Sequence, residues 1–192
     1  MPIEAKWIAR LQNGERAAYE ELLDRFGPKI RSLAGRYSDS KSDADDLTQE
    51  IFIEVFKSIP NFRGDAQFST WLYRIALNRC LKFQEKTRRE TGLHDSSVLE
   101  NQLLEIPDQS QSTDPKHGIE RGELRQQLNC AFENLSEPHR EIVILHELQN
   151  MTYAQCAQIL EIPIGTVKSR LFHAFRALRT QISPYLGEGE SL

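Results

Sequence analysis

Thr152-Tyr153-Ala154-Gln155-Cys156-Ala157-Gln158-Ile159-Leu160-Glu161-Ile162-Pro163-Ile164-Gly165-Thr166-Val167-Lys168-Ser169-Arg170-Leu171 reads as one short helix, a turn and the start of a second helix. Thr152 and Gln155 have the spacing of a capping box, in which a hydroxyl takes the amide three residues on and that residue's side chain returns to the cap. The helix so opened ends at Leu160, Glu161-Ile162-Pro163 interrupts, and the apolar period resumes from Ile164 to Ile182. Val167, Leu171, Ala174, Phe175 and Leu178 share about 100° of arc, and Thr166, Ser169, Arg170, His173 and Arg176 lie opposite. That polar side holds no acid. Two helices related in this way form a helix-turn-helix. Its polar face suits a groove of phosphate oxygens and guanine acceptors, with Arg170 set to pair a base edge and Lys168 to hold the backbone. Amphipathy alone would equally describe a solvated surface helix.

Upstream of this motif, Leu124, Leu128, Ala131 and Phe132 mark a helix from Ile119 to Asn134, and Ser136-Glu137-Pro138 opens another, because a proline in the first turn forfeits no intrahelical bond. Further back the periodicity lapses. Glu90 to Gly118 holds Gly92, Pro107, Pro115 and the polar run Asp108 to Asp114, with six acidic groups against Lys116 alone. A structureless stretch of that length is foreign to one compact domain, so it reads as an acidic linker between two. Val98, Leu99, Leu103, Leu104 and Ile106 leave room within it for a short helix or docked segment.

The amino-terminal part is helical throughout. Trp7, Leu11, Ala18, Tyr19, Leu22, Leu23 and Phe26 recur at helical spacing, with breaks expected at Gly14 and at Gly27-Pro28; Ile30, Leu33, Ala34 and Tyr37 continue one face. A helix from Asp43 to Ile59, stopped by Pro60, starts on Asp43, Asp45 and Asp46, which complement its dipole. Its far side sets Ile53 among Asp46, Gln49, Glu50 and Lys57: an ordinary exposed apolar residue, or an anchor for a basic partner helix. Ser69 is the expected cap of a helix from Thr70 to Arg88, with Phe68 and Tyr73 as a staple. Residues 60–89 carry seven basic groups against two acidic ones. Arg74, Asn78 and Lys82 share one row of that helix, beside Trp71, Arg79 and Lys86. The loop before it, Asn61-Phe62-Arg63-Gly64-Asp65-Ala66-Gln67-Phe68, adds aromatics to donors and an acceptor. Rings, cations and amides are what unpaired bases require, although each of Phe62, Phe68 and Trp71 taken singly is as well explained by the core. Trp71 and one phenylalanine are expected to be partly buried.

Composition sets the outer limits. The chain has 192 residues, 39% of them hydrophobic and 27% charged, with a net charge of −4. Its apolar runs, such as Ile142 to Leu145, fall far short of the ~20 residues a membrane span needs. Glu4, Lys6, Arg10, Glu15 and Arg16 break any signal-peptide core in Met1 to Leu23. Three cysteines without paired spacing fit a reducing compartment, hence the cytoplasm. The chain shows no glycine-rich phosphate loop, His-Glu-x-x-His or Cys-x-x-Cys, so no catalytic residue, metal site or cofactor is expected. Cys130 and Cys156 read as core cysteines, and His139 and His146 as solvated histidines.

Three pieces carry a family likeness: Asp45-Asp46-Leu47-Thr48-Gln49-Glu50-Ile51-Phe52; Phe62-Arg63-Gly64-Asp65 followed by Phe68-Ser69-Thr70-Trp71-Leu72-Tyr73-Arg74-Ile75-Ala76 and Asn78; and Pro163 to Leu171. From about Trp7 to Ile182 the chain resembles the extracytoplasmic-function (ECF) sigma factors, small promoter-specificity subunits of bacterial RNA polymerase within the sigma-70 family. The expected fold is all-α, two small helical domains joined by a flexible acidic linker. The likeness makes 1–89 a region 2 domain for polymerase docking and minus-10 recognition and melting. It makes 90–118 the linker, 119–184 a region 4 domain for the minus-35 element, and 185–192 a tail.

By the same resemblance Asp46, Gln49, Glu50, Ile53 and Lys57 dock on the clamp helices of the largest polymerase subunit. Asn61, Phe62, Arg63, Asp65, Ala66 and Phe68, with Trp71, Arg74, Asn78, Arg79 and Lys82, bind the melted minus-10 strand. Thr166, Lys168, Ser169, Arg170, Phe172, His173 and Arg176 meet minus-35 duplex. His173 stands where relatives often carry a basic residue. Partners implied are core polymerase, promoter DNA and an anti-sigma factor, with no small-molecule substrate and no membrane insertion. The rival reading is a stand-alone helix-turn-helix regulator with an all-α sensing or dimerisation domain, which would bind duplex DNA without polymerase.

Overall fold

The computed structural model describes residues 3–91 and 126–183, and among them the regular structure is helical with no strand. They belong to two compact units, one within Met1–Val98 and one within Leu99–Leu192. The expected linker from Gly92 to Gly118, the segment around Val98 to Ile106 and the 185–192 tail lie outside the described residues.

In the first unit α1 (Ile3–Gln12), α2 (Arg16–Ala34), α3 (Lys41–Ser58), a 3-10 turn (Ile59–Asn61) and α4 (Phe68–Thr91) follow one another. The apolar periods close on a common core, as anticipated: Leu22, Phe26, Ile30 and Leu33 from α2, Leu47, Ile51 and Val55 from α3, and Leu72, Tyr73 and Ala76 from α4 are all buried. Each of the leucines, isoleucines, Val55 and Phe26 among them contributes roughly 1.5–3 kcal/mol by leaving water. Gly14, at φ +76°, makes the left-handed turn between α1 and α2.

Four boundaries differ from expectation. Gly27-Pro28 does not break α2, which runs through Pro28 to Ala34. Pro28 faces solvent while Ile30, Leu33 and Ala34 beyond it are buried, so tertiary burial outweighs a missing amide on the outer face. α3 starts at Lys41, two residues before Asp43, because the Ser40 hydroxyl caps it by accepting from the Asp43 amide at 3.1 Å. α4 starts at Phe68, where the Gln67 carbonyl accepts from the Trp71 amide at 3.1 Å, so Ser69 sits inside the first turn instead of capping it. α4 then continues through Thr91, two residues into the stretch read as linker.

The second unit comprises helical residues 126–133 (α5), α6 (Glu137–Val143) continued by a wide π turn over Ile144–Leu148, α7 (Tyr153–Leu160) and α8 (Ile164–Ile182). Only the end of the helix expected from Ile119 is described. Both halves of the capping box form: the Gln155 amide reaches Thr152 Oγ1 at 3.3 Å and the Thr152 amide reaches Gln155 Oε1 at 2.9 Å. Glu161 ends α7 in the left-handed conformation, φ 55° and ψ 40°, and the Ile162 amide closes back on the Ala157 carbonyl. α8 then packs on α6 and α7 through Val167, Leu171 and Ala174. Phe175, placed by its period on the apolar face, is exposed; it stands at the edge of that arc, past the side chains that α6 and α7 cover. Cys130 is likewise exposed, not a core residue, whereas Cys80 and Cys156 are buried.

Replacing Pro28 by alanine restores an amide to the exposed side of a continuous helix. Pro28→Ala is expected to stabilise the first unit by about 1–3 kcal/mol, read as a higher urea midpoint at unchanged slope.

Candidate nucleic-acid interfaces

Opposite the buried stripe of α3, Asp46, Gln49, Glu50, Ile53 and Lys57 are all exposed, Ile53 at 49%. Spacings of three and four residues align them on one side of the helix. Their neighbour Asp45 is held by Arg31 at 2.5 Å, and that hydrogen bond keeps its carboxyl below the usual range. Glu50 accepts from Arg79 of α4 at 3.1 Å. Arg79, expected with the minus-10 set, is thus half-buried and engaged with α3.

The loop after the 3-10 turn reverses at Gly64, φ +79°. Phe62 and Trp71 are half-buried with ring centroids 5.0 Å apart, matching the expected partial burial. Phe68 is a correction: at 1% exposure it cannot touch DNA. Its ring instead lies against Trp7, Phe26, Phe62 and Trp71 at 5.1–6.0 Å, the floor under the other two loop aromatics. Around them Asn61, Arg63 and Asp65 are exposed and Ala66 is half-buried, and Arg74, Asn78 and Lys82 line the outside of α4. One contributor escaped the sequence reading. The side-chain amide of Gln12, at the end of α1, donates to the Phe62 carbonyl at 2.9 Å.

On α8, Lys168, Ser169, Phe172, His173 and Arg176 are exposed, Phe172 at 63%, while Thr166 and Arg170 are half-buried. Lys168 Nζ stands 5.9 Å from the ring centre of Tyr153, which opens α7 and lies 4.6 Å from the His146 ring. His173 has Phe172 edge-on at 5.5 Å and His139 of α6 at 6.4 Å. Burial raises the pKa of Glu141 on α6, Glu137 adds to this, and Arg170 opposes it. Arg170, half-buried, is the least outward cation of the set. Tyr153, Glu141 and His139 had no local signal of this role, since each meets α8 only through tertiary packing.

His139 and His146 are half-buried and hydrogen-bonded, His139 Nδ1 to the Ser136 hydroxyl at 2.9 Å and His146 Nδ1 to the Met151 carbonyl at 2.7 Å, rather than solvated. Burial pushes the Cys80 thiol up to about 12 and the Cys156 thiol to about 11, so both stay protonated. Among the described residues no three metal-ligating side chains converge, and no helix is long and apolar enough to cross a membrane.

An aromatic loop beside a basic helix and a helix-turn-helix with an acid-free outer face define a two-part, all-α DNA-binding protein. Residues 22–90 match the model of sigma-70 region 2, and residues 125–178 that of sigma-70 region 4. The chain is 33% identical over 180 residues to the ECF RNA polymerase sigma-E factor of Escherichia coli strain K12, covering 93% of this chain and 94% of that one. In fold it is similar to CnrH, solved with the cytosolic domain of CnrY (TM-score 0.67, 19% identity, 94% and 97% of the two chains). It is similar too to the sigma factor RpoE of Bartonella quintana, solved with the anti-sigma factor NepR (TM-score 0.65, 24% identity, 86% and 96%). The chain belongs to the ECF sigma factors of the sigma-70 family, and is thus an alternative sigma factor, a DNA-binding factor for promoter-directed transcription initiation.

Glu141 yields a pH test. A carboxyl whose folded pKa is raised weakens the fold as pH climbs through and above the ordinary carboxyl range, and costs nothing below it. Glu141→Gln is expected to raise the second unit's urea midpoint at pH 7 and to match the parent at pH 4.

Proposed function

We propose that the chain binds core RNA polymerase through α3, captures a melted minus-10 base at the 61–68 loop and reads minus-35 duplex with α8. The observation that carries this reading is the Phe62–Trp71 pair, half-buried over Phe68, with exposed Asn61 and Arg63 beside it in the loop and exposed Arg74, Asn78 and Lys82 following along α4. A flipped base stacks on such rings for about 1–3 kcal/mol, which offsets the few kcal/mol its unstacking costs. Phe68 supports that pocket from below. Arg79 reaches DNA only by leaving Glu50.

The docking and melting domain runs to Thr91, where α4 ends, and 119–184 form the minus-35 domain. The acidic stretch between them, to 118, follows the RNA-exit path toward the active centre, and 185–192 is a tail. On α8 the outward Lys168, Ser169, Phe172, His173 and Arg176 meet the groove, with Thr166 and Arg170 at its margin. Asp46, Gln49, Glu50 and Lys57 ring Ile53 for the clamp helices. The protein catalyses nothing, works in the cytoplasm, and is held in check by an anti-sigma factor covering these faces, as the Bartonella relative's complex with NepR suggests.

Run-off transcription over fragmented genomic DNA, with core polymerase plus and minus this protein, tests the reading. New discrete starts preceded by two shared elements support it. Binding of particular duplexes by the protein alone, without new starts, makes it a stand-alone regulator. Ile53→Glu, at an exposed position, is expected to leave the unfolding midpoint within about 0.5 kcal/mol of the parent and to abolish co-purification with core polymerase. Phe172→Ala is expected to cost about 1–3 kcal/mol at one minus-35 position, measured by competition among single-base variants, with no loss of stability.

A further inference from the structure

Helix α1 lies before the segment matched to region 2, yet it grips the 61–68 loop at two places. Trp7, buried, meets the Phe68 ring edge-on at 5.1 Å. At the other end of the helix Gln12 Nε2 donates to the Phe62 carbonyl at 2.9 Å and approaches the Ile59 carbonyl at 3.4 Å. The Phe62 amide already donates to that Ile59 carbonyl at 3.0 Å. Both polar groups of the Phe62 backbone are therefore tied, one to the 3-10 turn and one to α1, immediately before Gly64 reverses the chain.

Gln12 is itself fixed. Leu11 beside it is fully buried, the Asn13 amide returns to Ala9 and the Gly14 amide to Leu11, and Gly14 takes the chain away at positive φ. The amide of Gln12 thus projects from a rigid terminus onto a carbonyl fifty residues later in the chain. A ring whose backbone is pinned on both sides has a set distance to Trp71, here 5.0 Å between centroids. Stacking of a flipped base on the outer face of that pair gains from such a preset arrangement, because ordering the aromatic only on binding would subtract from affinity.

We infer that Gln12 is a positioning residue for base capture: its side-chain amide sets the Phe62 backbone and so the aromatic face offered to the melted strand. The inference rests on reading the 61–68 loop as the minus-10 pocket. Gln12 touches no base itself. Its loss should lower discrimination between strands, not the stability of the unit.

The test uses full-length protein assembled with core polymerase and two single-stranded oligonucleotides, one carrying the minus-10 element found at mapped starts and one with a single base of it replaced. The parent should prefer the first. Gln12→Met, of similar size without a donor, should lose roughly three- to tenfold on the first strand and little on the second, collapsing the ratio. Gln12→Lys, which regains an N–H donor and whose added charge acts on both strands alike, should recover it. The unfolding midpoint and minus-35 duplex binding should stay at parental values for both variants. A parental ratio in Gln12→Met overturns the inference alone, as does an equal loss on both strands with a lowered midpoint, which marks a merely structural residue. A parent that does not discriminate overturns the pocket reading, and this inference with it.

Discussion

The packing of the Phe68 ring is what the first unit's chemistry hangs on. Trp7 from α1, Phe26 from α2, and Phe62 and Trp71 from either side of the loop all converge on it at 5.1–6.0 Å. Aromatic pairs contribute about 0.5–1.5 kcal/mol beyond the area they bury, and edge-on or tilted contacts fix orientation as well as distance. A binding loop has to stand away from the core to meet its ligand while keeping one shape. Here that conflict is resolved by sinking one aromatic completely and leaning two half-exposed ones against it.

Charge on the outer surfaces follows a related economy. Asp45 and Glu50 are both taken up by arginines, Arg31 and Arg79, and exposed pairs of this kind are worth little in stability, about 0–1 kcal/mol each. Their effect is to select which groups face outward. Asp46, Gln49, Ile53 and Lys57 stay exposed on the α3 face beside Glu50, while Arg79 is drawn off the α4 row that presents Arg74, Asn78 and Lys82. On α8 the half-buried Thr166 and Arg170 leave Lys168, Ser169, Phe172, His173 and Arg176 outermost.

Sequence reasoning read well what depends on neighbours along a helix and poorly what depends on neighbours in space. The capping box at Thr152, the helix break at Gly14 and the stripe Leu47, Ile51, Val55 are local patterns, and each is present. Pro28 misled because a local cost of about 3 kcal/mol is overruled by burial that only the tertiary fold reveals. Phe68 and Phe62 look alike in a loop, and nothing before folding says which one the core will claim. Gln12 and Glu141 are invisible for the same reason: an amide or carboxyl gains a role only from the backbone or cation it meets across the unit. Phe175 and Cys130 show the converse, apolar residues whose period or type suggests a core that does not extend over them.

The sparse charge of α8 bears on what the protein does when it is not engaged. Lys168, Arg176 and Arg179 are its exposed cations, and Arg170 is half-buried. Each phosphate neutralised releases condensed counterions, so this helix can displace only about three, and the logarithm of its affinity falls with that of salt at a slope of about −3. Such a surface has little hold on arbitrary duplex at physiological ionic strength. The second unit therefore adds little to any hold on the bulk of the chromosome, and its contribution is felt where the outward side chains of α8 meet a matching sequence.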